Sequence, residues 1–410
     1  MRRLKKTLWT KNFTLVTAAS ALGAVGGIAG GFALSFLVFD ETGSTLASAL
    51  ILAIQLVPFF VLPLFLAPVM DRLPRKPFLV AGDLIDGVLY ALMGLYLLKF
   101  EFSYAAYLGY SLLLACLESF DELAFQSIYP KLIPEGMEQQ GYAVSTTLYP
   151  ILRVLMLPLA GILLDAVGAA WILIGQGGLS LLAALIESNI DITEHRREGG
   201  EKLFTLRQWR ADIREAAEYL KNERGVTGIF SYMAVTNGVS SGYSSILVAF
   251  FRTFPGFTAA MYSLFSVFEF AGRTLGGAVQ YKLKIAKEKK FGFTFLVYQI
   301  YETMDMCLLW LPYPLMLANR ALVGFLGANS ATMRQAAMQT YIPEELRARL
   351  NAFQNMLVTA ASGVFALAIG ALGEVLDYRL CVTICGATAF IAAWLLVWRR
   401  RADVRKIFEK

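Results

Sequence analysis

Long apolar runs separated by short charged turns alternate along the whole chain. Many runs reach roughly 20 residues, the length that an α-helix needs to cross a lipid bilayer. Gly and Pro interrupt several runs, which membrane helices tolerate when neighbouring helices supply hydrogen-bond partners. The pattern predicts twelve spanning helices, at residues 13–39, 46–69, 77–98, 104–126, 144–165, 169–189, 226–251, 258–280, 291–311, 314–338, 352–374 and 379–398.

Composition leads to the same class. The chain of 410 residues is 57% hydrophobic and 17% charged, and its mean hydropathy is +0.56. Soluble domains contain about 45–50% apolar and about 25% charged residues. We therefore expect a multi-pass protein of the lipid bilayer, acting as a monomer. In such a protein the net charge of +6 indicates basic cytoplasmic loops and not a nucleic-acid partner.

The basic residues predict the orientation. When the N-terminus is placed in the cytoplasm, all but seven of the 37 Lys and Arg residues fall in segments on the cytoplasmic side of the membrane. The exceptions are Lys99, Arg252 and Arg379 on the other side, and Arg153, Arg273, Arg320 and Arg334 inside predicted helices. Because Lys and Arg collect in cytoplasmic loops, both termini are expected in the cytoplasm, and the location is expected to be the cytoplasmic (inner) membrane of a bacterium.

A long polar segment at residues 191–225 separates six predicted spans from the other six. Its apolar residues from Leu206 to Leu220 recur at helical spacing, which predicts an amphipathic helix lying on the membrane surface. The predicted organisation is a six-helix bundle at 1–190, a cytoplasmic linker at 191–225 and a second six-helix bundle at 226–410. His195, in the linker, is interpreted as a solvated loop residue.

The two predicted bundles share an internal repeat. Pro134 and Glu135 recur 209 residues later as Pro343 and Glu344. At the same offset Gly161 recurs as Gly370, and Asp165 is replaced by Glu374. One constant offset across different loops indicates two parallel halves, as in duplicated transporters.

The charged turn at residues 67–76 carries a family resemblance. It reads A-P-V-M-D-R-L-P-R-K and resembles the major facilitator signature G-x-L-x-D-R-x-x-R-K. Four charged positions match, while alanine and valine stand where the signature has Gly and Leu. The copy 209 residues later keeps Gly276 and Lys284 but has Gln280 in place of the acid. Any charge-based gate should therefore depend mainly on the first copy.

The resemblance implies an all-α membrane protein of the major facilitator superfamily fold, with twelve transmembrane helices in two pseudo-symmetric halves. It also implies a rocker-switch transporter with a cytoplasmic gate. The residues that the resemblance assigns to that gate are Asp71, Arg72, Arg75, Lys76 and Asp83. The alternative interpretation is that the basic members only set the topology.

A narrower resemblance points to drug and siderophore exporters. The Pro134-Glu135 loop after span four is followed in span five by R-V-L-M-L-P-L-A-G, from Arg153 to Gly161. This implies proton-coupled efflux of small amphiphilic molecules. Two alternatives stay open, an uptake carrier for a nutrient or lipid-derived solute and a non-transporting membrane sensor.

Charged side chains inside predicted spans are costly and therefore candidates for function. Glu118, Asp121 and Glu122 lie on one face of span four. Three carboxylates so close together cannot all ionise cheaply, so at least one is expected to hold a proton, as proton coupling requires. The alternative is a solvated or salt-bridged group at the cytoplasmic end of the span.

Spans five and eight to ten contain further charges. The spacing of Glu269 and Arg273 predicts a pair within one helix. Arg320 is expected to neutralise Glu302 or Asp305, and Arg153 to do the same for span four. Acids outnumber bases inside the spans, which favours cationic or zwitterionic substrates, or protons.

Several kinds of chemistry find no support in the sequence. It contains no catalytic, metal-ligand or nucleotide-binding arrangement, so an enzyme is not expected. No cofactor is expected either, and a proton gradient would supply the energy. Cys116, Cys307, Cys381 and Cys385 are interpreted as small core residues.

Overall fold

A computed structural model describes residues 7–70, 74–192, 214–215, 217–282 and 285–409. Over these ranges the chain folds into helices and contains no strand. Twelve long helices and one short C-terminal helix follow one another along the described chain: α1 Lys11–Thr42, α2 Thr45–Met70, α3 Lys76–Lys99, α4 Tyr104–Leu132, α5 Glu138–Val167, α6 Ala169–Ser188, α7 Arg224–Thr253, α8 Ala259–Lys282, α9 Lys287–Cys307, α10 Tyr313–Tyr341, α11 Glu344–Gly373, α12 Tyr378–Ala392 and α13 Arg401–Glu409.

The predicted all-α membrane fold is confirmed, and each long helix contains most of one predicted span. Within the described residues, six helices have an apolar window long enough to cross a membrane, namely α1, α3, α5, α6, α11 and α12 with the π-helical turn that follows it. Helices α4, α8, α9 and α10 miss that criterion because they carry the charged side chains predicted inside the spans.

Local sequence signals explain where several helices begin. The Ser103 hydroxyl accepts a hydrogen bond from the Ala106 amide at 3.5 Å and caps the start of α4. The Asp377 carboxylate accepts one from the Arg379 amide at 2.8 Å and caps α12. Gly168 has φ 82°, a conformation that favours glycine, and it separates α5 from α6.

The chain divides into two compact units. The first unit comprises Met1–Thr42, Ile54–Phe204 and Thr258–Ser263, and the second comprises Gly43–Ala53, Thr205–Phe257 and Leu264–Lys410. The predicted division at residues 1–190, 191–225 and 226–410 stays a prediction.

In the first unit, α3 and α6 cross at small residues. A Cβ atom on Gly87 would lie 2.9 Å from the Gly177 carbonyl oxygen, and one on Gly94 would lie 2.6 Å from that of Ala170. Small residues let two membrane helices approach this closely. The crossing brings the polar side chains of α3 close to the end of α6.

In the second unit, α8 and α10 make a similar close contact. A Cβ atom on Gly272 would lie 1.9 Å from the Ala321 carbonyl oxygen, and one on Gly324 would lie 2.1 Å from that of Glu269. Neither position has room for a larger side chain, so the backbones stay in direct contact. The contact holds the charged positions of α8 beside Arg320 of α10.

The end of the chain contains a π-helical turn within the last predicted span and a short helix that the sequence pattern does not predict. Residues Ala393–Trp398 continue α12 as a π-helical turn, and α13 packs its buried Val404, Ile407 and Phe408 into the core of the second unit. Among the cysteines, Cys381 and Cys385 are buried and Cys116 is half-buried, but Cys307 is exposed. The prediction of a core residue is therefore wrong for Cys307, which lies at the last residue of α9.

Some predicted features lie outside the described residues. They include Asp71, Arg72 and His195, and most of the predicted linker helix. Their proposed roles stay predictions.

Candidate functional site

A polar cavity of about 270 Å³ lies inside the second unit. Its walls come from α7, α8, α9, α10 and α12. Six charged side chains reach it, three acids and three arginines: Glu269, Arg273, Glu302, Asp305, Arg320 and Arg334. The first five are residues that the sequence predicts as coupling or substrate candidates, and the structure brings them together in one cavity.

Arg320 is the most enclosed of these charges, with 3% of its side chain exposed. It forms an ion pair with Asp305 and donates a hydrogen bond to the Tyr243 hydroxyl at 3.1 Å. A further hydrogen bond runs from Arg320 to the Asn319 side-chain oxygen at 3.0 Å. Asn319 in turn donates to the Met304 carbonyl at 2.7 Å, which ties α10 to α9. Of the two expected partners of Arg320, the structure therefore selects Asp305.

The predicted pair within α8 also forms. Arg273 Nη2 lies 2.6 Å from Glu269 Oε1, but 60% of the Arg273 side chain is exposed. Exposed pairs of this kind add little stability because solvent screens them. This pair contributes polar groups at the cavity wall and little rigidity.

Glu302 is buried and has phenols as partners. The Tyr232 hydroxyl donates to Glu302 Oε1 at 3.3 Å and lies 3.4 Å from the Tyr301 hydroxyl. Tyr232 is itself fully buried in the core of the second unit. The carboxyl of Glu302 is thus held by neutral hydroxyl groups at the cavity wall.

Arg334 lies on the same face of α10 as Arg320, because the intervening cavity residues Val323, Gly327 and Ala331 follow the helical repeat. The guanidinium of Arg334 donates to the Tyr298 hydroxyl at 3.0 Å and lies 6.0 Å from the centre of that ring. Its partner, too, is a phenol.

The first unit contains a different arrangement, which we call the acid cluster: Asp83 and Asp86 of α3, Glu118 and Asp121 of α4, and Glu187 of α6. Electrostatic interactions link Asp121 to both aspartates of α3 and to Glu118. They also link Glu187 to Asp83 and Asp121. The close crossing of α3 with α6 explains why acids so far apart in sequence meet.

Several oxygens of the acid cluster are enclosed without a hydrogen-bond partner. Within the described part of the chain this holds for one oxygen each of Asp86, Asp121 and Glu187. Glu118 accepts a hydrogen bond from the Tyr90 hydroxyl at 3.5 Å. A buried carboxylate oxygen without a donor is costly, and a carboxyl group that holds a proton lowers that cost.

Glu122 and Arg153 are predicted site residues that the structure exposes, and Glu122 still interacts electrostatically with Asp121 of the acid cluster. Glu122 is exposed and accepts a hydrogen bond from Gln126 one turn later on α4. Arg153 is exposed on α5, and the described residues show no ion pair between it and α4. The expectation that Arg153 neutralises the acids of span four is therefore not supported by the geometry.

The gate residues that can be described lie at the start of α3. Lys76 Nζ donates to the Ser188 carbonyl at 2.8 Å, next to Glu187. Arg75 precedes the helix as its N-cap residue. Asp83, which the resemblance assigns to the gate, belongs to the acid cluster, and its expected link to Asp71 lies outside the described residues.

Sequence reasoning missed three kinds of residue. Glu187 lies near the end of a predicted span and is not singled out by any sequence pattern, and only the α3–α6 crossing places it beside other acids. Arg334 was counted inside a helix but given no role. The signal for it was its helical spacing from Arg320. Tyr232 and Tyr301 could not be separated by sequence from packing aromatics. Among the described residues, no group of three or more His, Cys, Asp or Glu side chains is arranged to hold a metal ion.

Comparison with known proteins places this geometry in context. The family model of the Major Facilitator Superfamily matches residues 13–298 and 304–409. No curated protein sequence matches the chain.

Three solved transporters have a similar fold. A bacterial homologue of the human lysosomal transporter Spinster, in an inward-facing and unoccupied conformation, is 14% identical with a TM-score of 0.66, covering 97% of this chain and 94% of that one. A mutant peptide transporter POT in complex with alafosfalin is 11% identical with a TM-score of 0.70, covering 99% and 98%. A mutant of the nucleoside transporter NupG is 10% identical with a TM-score of 0.68, covering 95% and 99%.

Proposed function

The chain belongs to the major facilitator superfamily, and from that premise we propose that it is a proton-coupled exporter of small amphiphilic molecules. It is an integral membrane transporter and not an enzyme. In our proposal it is a monomer in the cytoplasmic membrane of a bacterium, with both termini inside. It works by alternating access, needs no cofactor and uses the proton gradient.

The acid cluster is the observation that supports proton coupling. Five carboxyl groups share the interior between α3, α4 and α6, and three of them have an enclosed oxygen with no donor among the described residues. Closely packed carboxyl groups cannot all carry charge, so the cluster takes up and releases protons as its surroundings change. A group that changes charge during the cycle is what couples a proton to a substrate.

The cavity of the second unit supplies the substrate part of the proposal. Its charges are balanced in number, and Tyr243 and Tyr301 line it beside them. Such a wall suits a small molecule that carries charge and an apolar or aromatic body. The export direction rests on the resemblance of the Arg153–Gly161 segment to exporters.

Transport in everted membrane vesicles tests this proposal. The chain is expressed, an inside-acid pH gradient is imposed, and uptake of ethidium, tetraphenylphosphonium and the zwitterionic dye rhodamine B is followed. We expect at least one of them to accumulate, and a protonophore to abolish the accumulation. Glu118→Gln and Asp121→Asn should each lower the gradient-driven rate by about tenfold or more, because each removes a group that can carry the proton.

The matched control is Glu101→Gln, an exposed acid in the loop between α3 and α4, which should leave the rate unchanged. Transport that ignores the pH gradient while both cluster variants behave like the parent protein would rule out coupling through this cluster. Accumulation of a compound only with a gradient of the opposite sign would indicate an uptake carrier. No gradient-dependent movement of any of the three would contradict the exporter proposal.

A further inference from the structure

Among the residues that the structure describes, two of the six charged side chains in the cavity have no ion-pair partner. Asp305 pairs with Arg320, and Glu269 pairs with Arg273. In the described part of the chain, the hydrogen-bond partners of Glu302 are the hydroxyls of Tyr232 and Tyr301. The partner of Arg334 is the hydroxyl of Tyr298. One unpaired acid and one unpaired arginine therefore face the same cavity.

A phenol is an incomplete partner for a desolvated ion. It supplies one hydrogen bond and no net charge, so the cost of removing the ion from water is only partly offset. Glu302 is 3% exposed, so solvent compensates its charge poorly. A ligand group of opposite charge would complete each site with a charge-assisted hydrogen bond.

The two unpaired charges are separated by a cluster of tyrosines. The Tyr232 hydroxyl lies 3.3 Å from Glu302 Oε1. The Tyr232 ring lies 4.6 Å from the Tyr298 ring, whose hydroxyl is 3.0 Å from Arg334. Glu302 and Arg334 thus contact neighbouring members of one tyrosine cluster, and both line the same cavity together with Tyr301.

Arg320, the other arginine of α10, is not available to bind the anionic end of a ligand near the tyrosines. Arg320 and Arg334 are 14 positions apart, which at 1.5 Å per residue is about 21 Å along the helix axis. Arg320 is already occupied by Asp305, Tyr243 and Asn319. Anion binding near the tyrosines therefore falls to Arg334.

We infer that this cavity binds a small zwitterion, with its ammonium group on Glu302, its carboxylate on Arg334 and its uncharged middle against the cavity wall between them, to which Tyr301 contributes. Ammonium groups also favour aromatic rings, and Tyr301 lines the cavity beside Glu302. The volume of about 270 Å³ is at the lower end for small-molecule pockets, so the ligand is small. The inference rests on the proposed function in taking this cavity as part of the substrate site.

Equilibrium binding to the purified full-length chain tests the inference without any gradient. The probes are 4-(aminomethyl)benzoate and 6-aminohexanoate as zwitterions, with benzylamine, benzoate, hexylamine and hexanoate as single-charge controls. We expect each zwitterion to bind about tenfold or more tightly than its single-charge analogues, since each charged contact is worth roughly tenfold. Isothermal titration calorimetry measures the dissociation constants.

Two variants test which residue binds which charged end of the zwitterion. Glu302→Gln should reduce zwitterion affinity to that of benzoate while leaving benzoate binding intact. Arg334→Gln should reduce it to that of benzylamine while leaving benzylamine binding intact. Glu218→Gln, an exposed acid paired with Arg214 outside the cavity, is the control and should change nothing. Circular dichroism and the thermal midpoint establish that each variant is folded.

Zwitterions that bind no more tightly than the single-charge compounds would overturn the inference. So would equal losses for all probes in both variants, because these would mean a purely structural role. Vesicle transport that remains proton-coupled in that case would keep the proposed function and reject only this ligand class. Intact zwitterion binding without gradient-driven transport would keep this ligand class and reject the proposed function.

Discussion

The two units surround the acidic side chains of their interiors differently, although Glu302 of the second unit has tyrosines and no arginine as described partners. In the second unit, Asp305 and Glu269 each have an arginine within ion-pair distance. In the first unit, Asp83, Asp121 and Glu187 interact mainly with other acids. An acid beside an arginine is held in place by the pair, whereas neighbouring acids repel one another once they are charged. This difference is why we propose ligand binding in the second unit and proton exchange in the first.

The largest effect is expected when Arg320, the enclosed arginine of the second unit, is replaced. Arg320→Gln leaves Asp305 without its partner. Losing one member of an enclosed pair costs about 3–5 kcal/mol, so we expect the thermal midpoint to fall by about 5 °C or more. Differential scanning fluorimetry of the purified protein measures the midpoint.

The double variant Arg320→Gln with Asp305→Asn should recover part of that loss, because it removes both charges together. Arg273→Gln is the matched control. It breaks an exposed pair worth about 0.3–0.5 kcal/mol, so its midpoint should fall by about 1 °C. Equal effects of Arg320→Gln and Arg273→Gln would contradict the difference in enclosure that the structure shows.

A smaller effect of opposite sign is expected in the acid cluster. Asp121→Asn keeps the shape of the side chain and removes one of several repelling charges. The thermal midpoint should therefore stay constant or rise by about 1 °C, although gradient-driven transport is lost. The comparison is made at pH 7 by the same fluorimetric measurement.

A fall of the Asp121→Asn midpoint as large as that of Arg320→Gln would break the contrast between the units. It would mean that Asp121 has a stabilising partner and is not a member of a repelling cluster. Glu101→Gln, in the neighbouring exposed loop, should leave the midpoint unchanged.

The smallest expected effect concerns a contact that occurs once within each unit, between a carboxylate and the start of a helix. Glu374, the residue after α11, accepts hydrogen bonds on one oxygen from the Ser44 hydroxyl at 2.7 Å, the Leu46 amide at 2.9 Å and the Thr45 hydroxyl at 3.1 Å. Its repeat partner Asp165, at the end of α5, accepts one from the Ala260 amide at 3.3 Å. Each carboxylate thus meets the start of a helix, α2 or α8, where the helix dipole favours negative charge.

These contacts predict a pH dependence at Glu374. Partial burial opposes the charge, but hydrogen bonds from Leu46, Ser44 and Thr45 outweigh it and lower the pKa of Glu374 below its ordinary value of 4.5. A lowered pKa stabilises the folded state above pH 4.5, and that stability is lost as the pH falls through the pKa of the folded state. Glu374→Gln should lower the thermal midpoint by about 1 °C at pH 7, since solvent screens this exposed group.

The difference between the parent protein and Glu374→Gln should shrink as the pH falls below 4.5. Thermal midpoints measured from pH 7 to pH 3.5 show whether it does. A difference that stays constant over this range would mean that the carboxylate charge has no part in the contact.

The internal repeat also shows how a sequence pattern gains physical meaning. Gly161 and Gly370 were matched by position alone. In the structure, a Cβ atom on Gly161 would lie 2.7 Å from the Ala260 Cα, and one on Gly370 would lie 2.5 Å from the Ala49 Cβ. Both glycines let the helix that precedes the carboxylate touch the start of another helix, so the repeat preserves a contact and not only a composition.

The sequence by itself determined the long helices and the charges inside them. Long apolar runs must form hydrogen-bonded helices in a bilayer, and the i, i+4 spacing of Glu269 and Arg273 places them in reach of one another whatever the fold. These conclusions are local, since they depend on residues within a few turns of the same helix.

Only the tertiary structure decided which charges meet. Arg320 had two possible acids on α9, and the packing of α8, α9 and α10 selected Asp305. Glu187 joined Asp83 because small residues let α3 and α6 cross closely. Such pairings depend on contacts between helices distant in sequence, and no periodicity within one helix contains that information.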